Sequence, residues 1–351
     1  MADAIPDLSE KVELAIAGTV YSGWTDVSVT RAIDHVTGSF RLTLSSKDNA
    51  AGSLLVIRPD DRCQLRIGGE TVIDGWVDAV NPGIVPDDHS IQVEGRDKTA
   101  DLADCSAIHK SGSWSNAKIE AIAADLVKPF GIKVTAKADT GAAIRKFVLQ
   151  QGETVFAAIE RLLRLRGLLA VASATGDLEI ITVSSAAPVG TLALGVNIKS
   201  ANGRHDHRER FSDYIVKGQA AGDDERHGKT VSQIRGEAKD SAVRRYRPLL
   251  LITEEQSDGA SAATRAKYEA GVRAGRSRGA DVEVAGWRVA AGGALWSVNS
   301  QVRLICAPAG FADDVLLIAG VTFSKNEGGT TTRLTLAPAG AFAQLPQKEA
   351  K

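Results

Sequence analysis

The stretch IQVEGRDKTADLADCSA, Ile91–Ala107, changes its period halfway along. Ile91, Val93 and Gly95 keep the two-residue rhythm of a strand, whereas Ala100, Leu102 and Ala103 offer only helical contacts. Four charges crowd the change, in Glu94-Gly95-Arg96-Asp97-Lys98, and Asp101 lies close behind. They are either the rim of a catalytic site or a polar junction between a strand and the next element. As a junction, Gly95 would supply an unusual backbone turn, and Arg96 would pair with neighbouring acids across the sheet edge to fix the angle of the adjoining domain.

Working upstream, the chain reads as strands. KVELAIAG and YSGWTDVSVTRAI alternate, and GSFRLTLS places Phe40, Leu42 and Leu44 on one face. CQLRIGG, TVIDGWVDAVN and HSIQVEG continue the series, so about six short strands precede the junction. Downstream the period becomes helical. SNAKIEAIAADLVKPFG carries Ile119, Ile122, Ala123 and Leu126 at helical spacing, with Ser115 or Asn116 as the expected cap. GETVFAAIERLLRLRG repeats the plan, and LLAVASATGDLEIITV predicts a hairpin turning at Thr175-Gly176-Asp177. RFSDYIVKGQA and RYRPLLLIT read as strands, the charged run 222–240 as an exposed loop, and Ser261–Arg278 as a helix weakened by Gly271 and Gly275.

From Ala280 to Ala337 strands resume, and they echo the first set. Both series hold a strand beginning at a glutamine (Gln64, Gln301), a strand centred on Ile-x-Gly (Ile73-Asp74-Gly75, Ile318-Ala319-Gly320) and a closing strand. The echo predicts two barrels of one kind. The expected fold is therefore α+β and β-rich: two related antiparallel β-barrel domains, a small inserted α+β domain and a further helical and loop region. The expected bounds are 10–98 for the first barrel, completed by about 185–220, and 99–184 for the insertion. Residues 221–280 form the loop and helix region associated with the second half, and 281–345 the strands of the second barrel.

Composition narrows the function classes. The chain has 351 residues, 44% hydrophobic and 24% charged, with 42 basic against 43 acidic residues, so no global field draws it to nucleic acid or membrane. Lys199–Arg247 carries 12 basic and 8 acidic residues, and no aromatic interleaving for base stacking accompanies them. Cys63, Cys105 and Cys306 are odd in number and far apart, which argues against a disulfide framework and for synthesis in a reducing compartment. The N-terminus has acids where a signal peptide has bases, and no run is long enough to span a bilayer, so no stable membrane insertion is expected.

Catalytic patterns are weak throughout. His227-Gly228-Lys229-Thr230 lacks the earlier glycine of a phosphate loop, and Asp223, Asp224 and Glu225 oppose an anion there. His205-Asp206-His207 offers two imidazoles without the third or fourth ligand of a zinc site. There is no GxSxG, and no pair of carboxylates stands out for acid and base duty. The expectation is no catalytic, metal-binding or nucleotide-binding residue and no cofactor. Trp24, Trp76 and Trp287 each come after a glycine in a strand-like setting, which suits barrel packing or an interface anchor.

Taken in order, VYSGWTDVSVTRAIDHVTGSFRLTLS, VEGRDKTADLADCSA, RFSDYIVKG and RYRPLLLI resemble the baseplate hub protein of Mu-like contractile-tailed bacteriophages, the tail protein P family, from about Val12 to Phe342. The resemblance implies a homotrimer whose paired barrels make a pseudo-sixfold ring between a sixfold tail tube and a threefold central spike. It also implies other baseplate proteins as partners, DNA passing through the ring without sequence-specific binding, and a place in the virion tail baseplate after assembly in the host cytoplasm. Carried over, Gly23-Trp24 and Arg31 belong to the first barrel and Gly95 to Leu102 to its exit. Arg210, Phe211, Ser212 and Tyr214 mark the chain's return, and Arg245, Tyr246, Arg247 and Pro248 lie in the second half. The histidine-rich RHDHRE departs from the family's pattern. Two other readings remain open: a tail-associated cell-wall hydrolase using an acid such as Glu120 or Glu160, and a carbohydrate-binding β protein using exposed tryptophans.

Overall fold

The computed structural model describes residues 10–46, 56–85, 88–218, 234–252 and 259–343. The phosphate-loop-like segment at His227 lies outside the described residues. Alternation builds the first set of strands: β1 (Val12–Ile16), β2 (Thr19–Tyr21), β3 (Asp26–Ala32), β4 (Ser39–Ser46), β5 (Arg62–Ile67), β6 (Glu70–Val85) and β7 (Asp88–Asp97). In β1 and β5 every second side chain, Val12, Leu14, Ile16 and Cys63, Leu65, Ile67, is buried.

The period then changes as expected. A short helix α1 (Ala100–Asp104) leads to β8 (Ser113–Ala117), α2 (Ile119–Val127), β9 (Val134–Ala136), β10 (Ile144–Val148), α3 (Val155–Arg164), β11 (Leu169–Ala172) and β12 (Leu178–Ile181). Helix α3 is capped by Thr154, whose side chain accepts from the Ala157 amide. The cap expected for α2 at Ser115 or Asn116 is not there: both residues belong to β8, and Lys118 precedes the helix without a side-chain cap. These elements enclose a separate core around Ile122, Phe147, Ile159 and Leu162.

The chain continues through β13 (Thr191–Ala193), β14 (Ile198–His205), β15 (Asp213–Gly218), β16 (Ile234–Lys239), β17 (Pro248–Ile252), α4 (Gly259–Arg276), β18 (Arg278–Ala285), β19 (Gln301–Cys306), β20 (Phe311–Asn326) and β21 (Gly329–Ala337). The end of the charged run read as a loop is strand β16, antiparallel to β15, while β17 joins β15 in parallel. Its charges alternate with Ile234 and Gly236, which face α4, so the solvent side of a half-buried strand hides its period.

The two related antiparallel domains expected as barrels are present as two sets of strands, but neither closes on itself: together they form one thirteen-stranded sheet. The fusion point is β3, which pairs antiparallel with β20 across the two halves. Both halves also share one hydrophobic core, in which Leu14, Val29 and Leu65 belong with Val282, Trp287 and Leu334. The segment 185–220, expected to complete the first half, completes the second: β13 pairs with β19 and β14 with β18.

The echo is nevertheless real in the backbone. Strand order β3-β4-β7-β6-β5-β1 in the first half is repeated as β14-β18-β21-β20-β19-β13 in the second. Pairings Trp76↔Arg96, Val77↔Gly95 and Ala79↔Glu94 recur as Leu317↔Ala337, Ile318↔Leu336 and Gly320↔Thr335, including the register shift after Val77 and after Ile318. Thus Ile318-Ala319-Gly320 corresponds to Val77-Asp78-Ala79. The match to Ile73-Asp74-Gly75 is four residues out, because residue identity has drifted while the ladder has not. The repeats differ at the last pair, where β13 runs parallel to β19 and β1 antiparallel to β5.

Candidate functional site at the junction and sheet surfaces

The charged run at the end of β7 divides its side chains between two directions, because neighbours on a strand face opposite ways. Arg96 reaches outward. Its guanidinium donates to both carboxylate oxygens of Asp78 on β6, at 2.7 and 3.2 Å, and lies 2.9 Å from Asp104 at the end of α1. The hydrogen bonds it gives to Asp78, and less so those to Asp104, raise its pKa and keep it charged. Its partners are therefore not the acids beside it in sequence. Glu94 pairs with Arg41, and Asp97 turns inward. Asp101 is half-buried and its carboxyl is pushed up by burial, with Asp104 and Asp78 adding to the effect and Arg96 opposing it.

Asp97 is fully buried. One carboxylate oxygen accepts from the Gly38 amide at 2.7 Å, and the other has no hydrogen-bond partner. Burial pushes its pKa up to about 6, against the pull of Arg31 and the amide. Arg31, on β3, donates to the Val72 carbonyl of β6 and to the Ala172 carbonyl of β11, so one guanidinium ties the large sheet to the α+β unit.

Lys98 and Thr99 complete the junction. The Lys98 amide donates to the Asp74 carbonyl, its ammonium lies 3.6 Å from Asp177, and the Thr99 hydroxyl donates to the Val36 carbonyl. Asp177 stands in the hairpin turn between β11 and β12, where Gly176 has φ +70°. A Cβ on Gly176 would lie 2.3 Å from the Asp74 oxygen, so the tip of that hairpin sits directly on β6. Gly95 serves close approach rather than an unusual turn. Its φ is not positive, and a Cβ there would lie 2.3 Å from the Trp76 carbonyl oxygen and 2.5 Å from the Phe40 ring. Ile33, Val171, Ile181, Leu317 and Ala319 form a small apolar cluster beside this contact.

The other singled-out residues lie elsewhere. Trp24 and Trp287 are buried in the shared core, and the Trp287 indole donates to the Ser324 and Thr331 carbonyls. Trp76 is half-buried on β6. Arg210 and Asp240 form a bidentate pair at 2.5 and 3.0 Å, and this bonding holds the Asp240 carboxyl below its usual range. Tyr214 is fully buried, and its hydroxyl accepts from the Phe211 amide. Both residues knot β15, β16 and the end of α4, whereas Tyr246 stands 84% exposed.

Among the described residues no group of three or more metal-ligating side chains converges. His205 packs on Phe311 and His207 faces Arg210. Glu120 is bonded by Thr140 and Lys118, which outweigh burial and hold it low, and Glu160 pairs with Arg164. Trp24, Trp287 and Trp296 are buried, and Trp76 and Trp114 are half-buried, Trp114 packing against His109 and Phe147. No helix among the described residues is long and apolar enough to cross a membrane.

Comparisons with known proteins keep the same order along the chain. Residues 11–97 match the family described as Mu phage baseplate assembly protein GpP-like, N-terminal, and residues 99–182 that described as baseplate hub protein gp44-like, second domain. Residues 210–268 match tail protein NMB1110-like, third domain, and 258–345 Mu phage baseplate assembly protein GpP, fourth domain. Baseplate hub protein gp44 of Escherichia phage Mu is 36% identical over 95% of this chain and 89% of its own length. The 43 kDa tail protein of prophage MuSo2 from Shewanella oneidensis shares 35% identity at a TM-score of 0.85, covering 96% of this chain and all of that one. In fold alone, the E. coli c3393 protein, a type VI secretion component, is similar at 13% identity and a TM-score of 0.58, over 95% of this chain and 79% of its own.

Proposed function

Since the chain belongs to the Mu-type baseplate hub family, we propose that it works as a homotrimer whose six sheet-rich halves form a pseudo-sixfold ring joining the sixfold tail tube to the threefold central spike. At the coarser level it is a structural phage baseplate hub protein of the virion tail, not an enzyme.

The observation that carries the ring is the duplicated six-strand unit. A chain holding two copies of one unit can place them around an axis at half the angular step of its own symmetry, which is what a sixfold-to-threefold adaptor requires. The parts that are not duplicated, 99–182 between the halves and β15 to α4 within the second, keep the symmetry threefold and supply surfaces that alternate around the ring. At the junction, the Arg96, Asp97 and Lys98 contacts hold the α+β unit at one angle to the sheet. Further baseplate proteins would bind the non-duplicated parts, and DNA would pass through the ring without base recognition.

Native mass measurement with electron imaging tests the proposal. Three chains of 36.9 kDa give an assembly of about 110 kDa with an open centre and six similar lobes. A chain that stays monomeric at the concentrations of assembly refutes it.

A further inference from the structure

The duplication matches six strands of one half to six of the other, and it leaves one contact used once where symmetry calls for it twice. Within the chain, β3 of the first half lies along the second part of β20, in the register Arg31↔Val321, Thr30↔Thr322, Val29↔Phe323 and Ser28↔Ser324. The counterpart of β3 is β14, and the counterpart of β20 is β6. Their equivalent positions come from the ladders: Val29 and Gly203 both face the second strand of their set, at Phe40 and Ala280, whose partners are Gly95 and Leu336.

Both counterpart edges stand without a second strand among the described residues. Among the described residues β14 from Ser200 to His205 pairs only with β18, and β6 from Ala79 to Val85 pairs only with β7. Burial records the missing neighbour. Val27 and Val29 are buried on β3, whereas on β14 the matching Ala201 is half-buried and Gly203 exposed; Val321 and Phe323 are buried on β20, whereas Val80 is half-buried and Pro82 exposed on β6.

We infer that β14 of one copy pairs antiparallel with the Ala79–Gly83 edge of β6 in a second copy, in the register His205↔Val80, Arg204↔Asn81, Gly203↔Pro82 and Asn202↔Gly83. The inference rests on the ring proposed above and supplies its contact between chains. The contact is heterologous, and each chain carries one of each edge, so successive copies repeat between chains the step that β3 and β20 make within one. Pro82 removes one amide from the ladder, and on the free chain it guards that edge against pairing out of register. Gly203 fits the opposite position because its inward side is already filled: a Cβ there would lie 2.0 Å from the Ala309 carbonyl oxygen.

Disulfide trapping in the full chain tests the register. Thr30 and Thr322 touch through their hydroxyls at 3.1 Å, so Arg204→Cys with Asn81→Cys places thiols at the matching positions. The exposed Cys105 is replaced by serine in all variants. Mild oxidation is expected to join the double variant into covalent multiples of the 36.9 kDa chain, while either single variant and the pair Asn202→Cys with Asn81→Cys stay uncrosslinked. Ala201→Pro is expected to abolish association and leave the chain folded by circular dichroism. A trimer by native mass with no 81–204 crosslink, or with the 81–202 crosslink instead, overturns this pairing and leaves the ring intact. A wild-type monomer overturns the ring and the pairing together.

Discussion

Replacing Asp97 with asparagine tests the balance of forces at the junction. The carboxylate has lost its water, keeps one amide and the Arg31 charge, and leaves one oxygen unbonded, and the outcome is a pKa of about 6 against 3.8 for the free side chain. A folded-state pKa above the unfolded one means the native state binds the extra proton, so stability is greatest below about pH 4 and falls as pH rises through about 6. Roughly two pH units at 1.36 kcal/mol each bound the loss at about 3 kcal/mol. Other carboxylates titrate in the same window, so the informative quantity is the difference between wild type and Asp97→Asn. Urea unfolding followed by tryptophan fluorescence from pH 4 to 7.5 is expected to show near-equal stability at the acid end and the variant ahead by up to about 3 kcal/mol at neutrality. Parallel curves, or a variant less stable at pH 7, would show that Arg31 and the Gly38 amide outweigh desolvation and that the reasoning is wrong.

Other substitutions probe neighbouring contacts. Arg96→Ala breaks a partly exposed bidentate clamp between β6 and α1, and a loss of about 1 to 2 kcal/mol is expected after allowing for solvent, with faster hydrogen exchange in α1 as the check. Gly95→Ala forces a methyl group against the Trp76 carbonyl and the Phe40 ring, so a drop of about 2 kcal/mol or more is expected in denaturation. Arg210→Ala strands the largely buried Asp240 carboxylate, costing about 3 kcal/mol, with loss of protection confined to β15, β16 and β17. An Asp240→Asn, Arg210→Met double variant should recover most of that loss, as measured by the same exchange experiment.

Strand alternation makes the sheet legible: Phe40, Leu42, Ile91 and Val93 announce their faces, and all four are buried. The helices around Ile122 and Leu162 are equally plain, since their apolar positions recur at helical spacing. Local pattern cannot carry pairing between distant segments. Arg31 meets Ala172, and Gly176 meets Asp74, only because the hairpin folds back across the sheet. Nothing near Arg31 in sequence marks it as a bridge. The same limit misplaces the segment after Ser184, whose strands look alike whichever half they join, and it displaces the repeat by four residues. Gln64 and Gln301 resemble each other by accident of identity, while the backbone equates Gln301 with Arg62. Crowding of charge marks the junction, but the partners of Arg96 lie 18 residues before it and 8 after.

The duplicated strands also bear on heredity. Where identical subunits complete a ring, one codon change alters every position at once. Two tandem copies in a single gene release each position to vary alone. Val29 and Gly203 illustrate that freedom: equivalent in the ladder, one fills the core with its side chain and the other yields the space to the Ala309 main chain. Selection could thus adjust the face toward one neighbour without disturbing its counterpart, at the cost of fixing for good how many copies each gene product contributes.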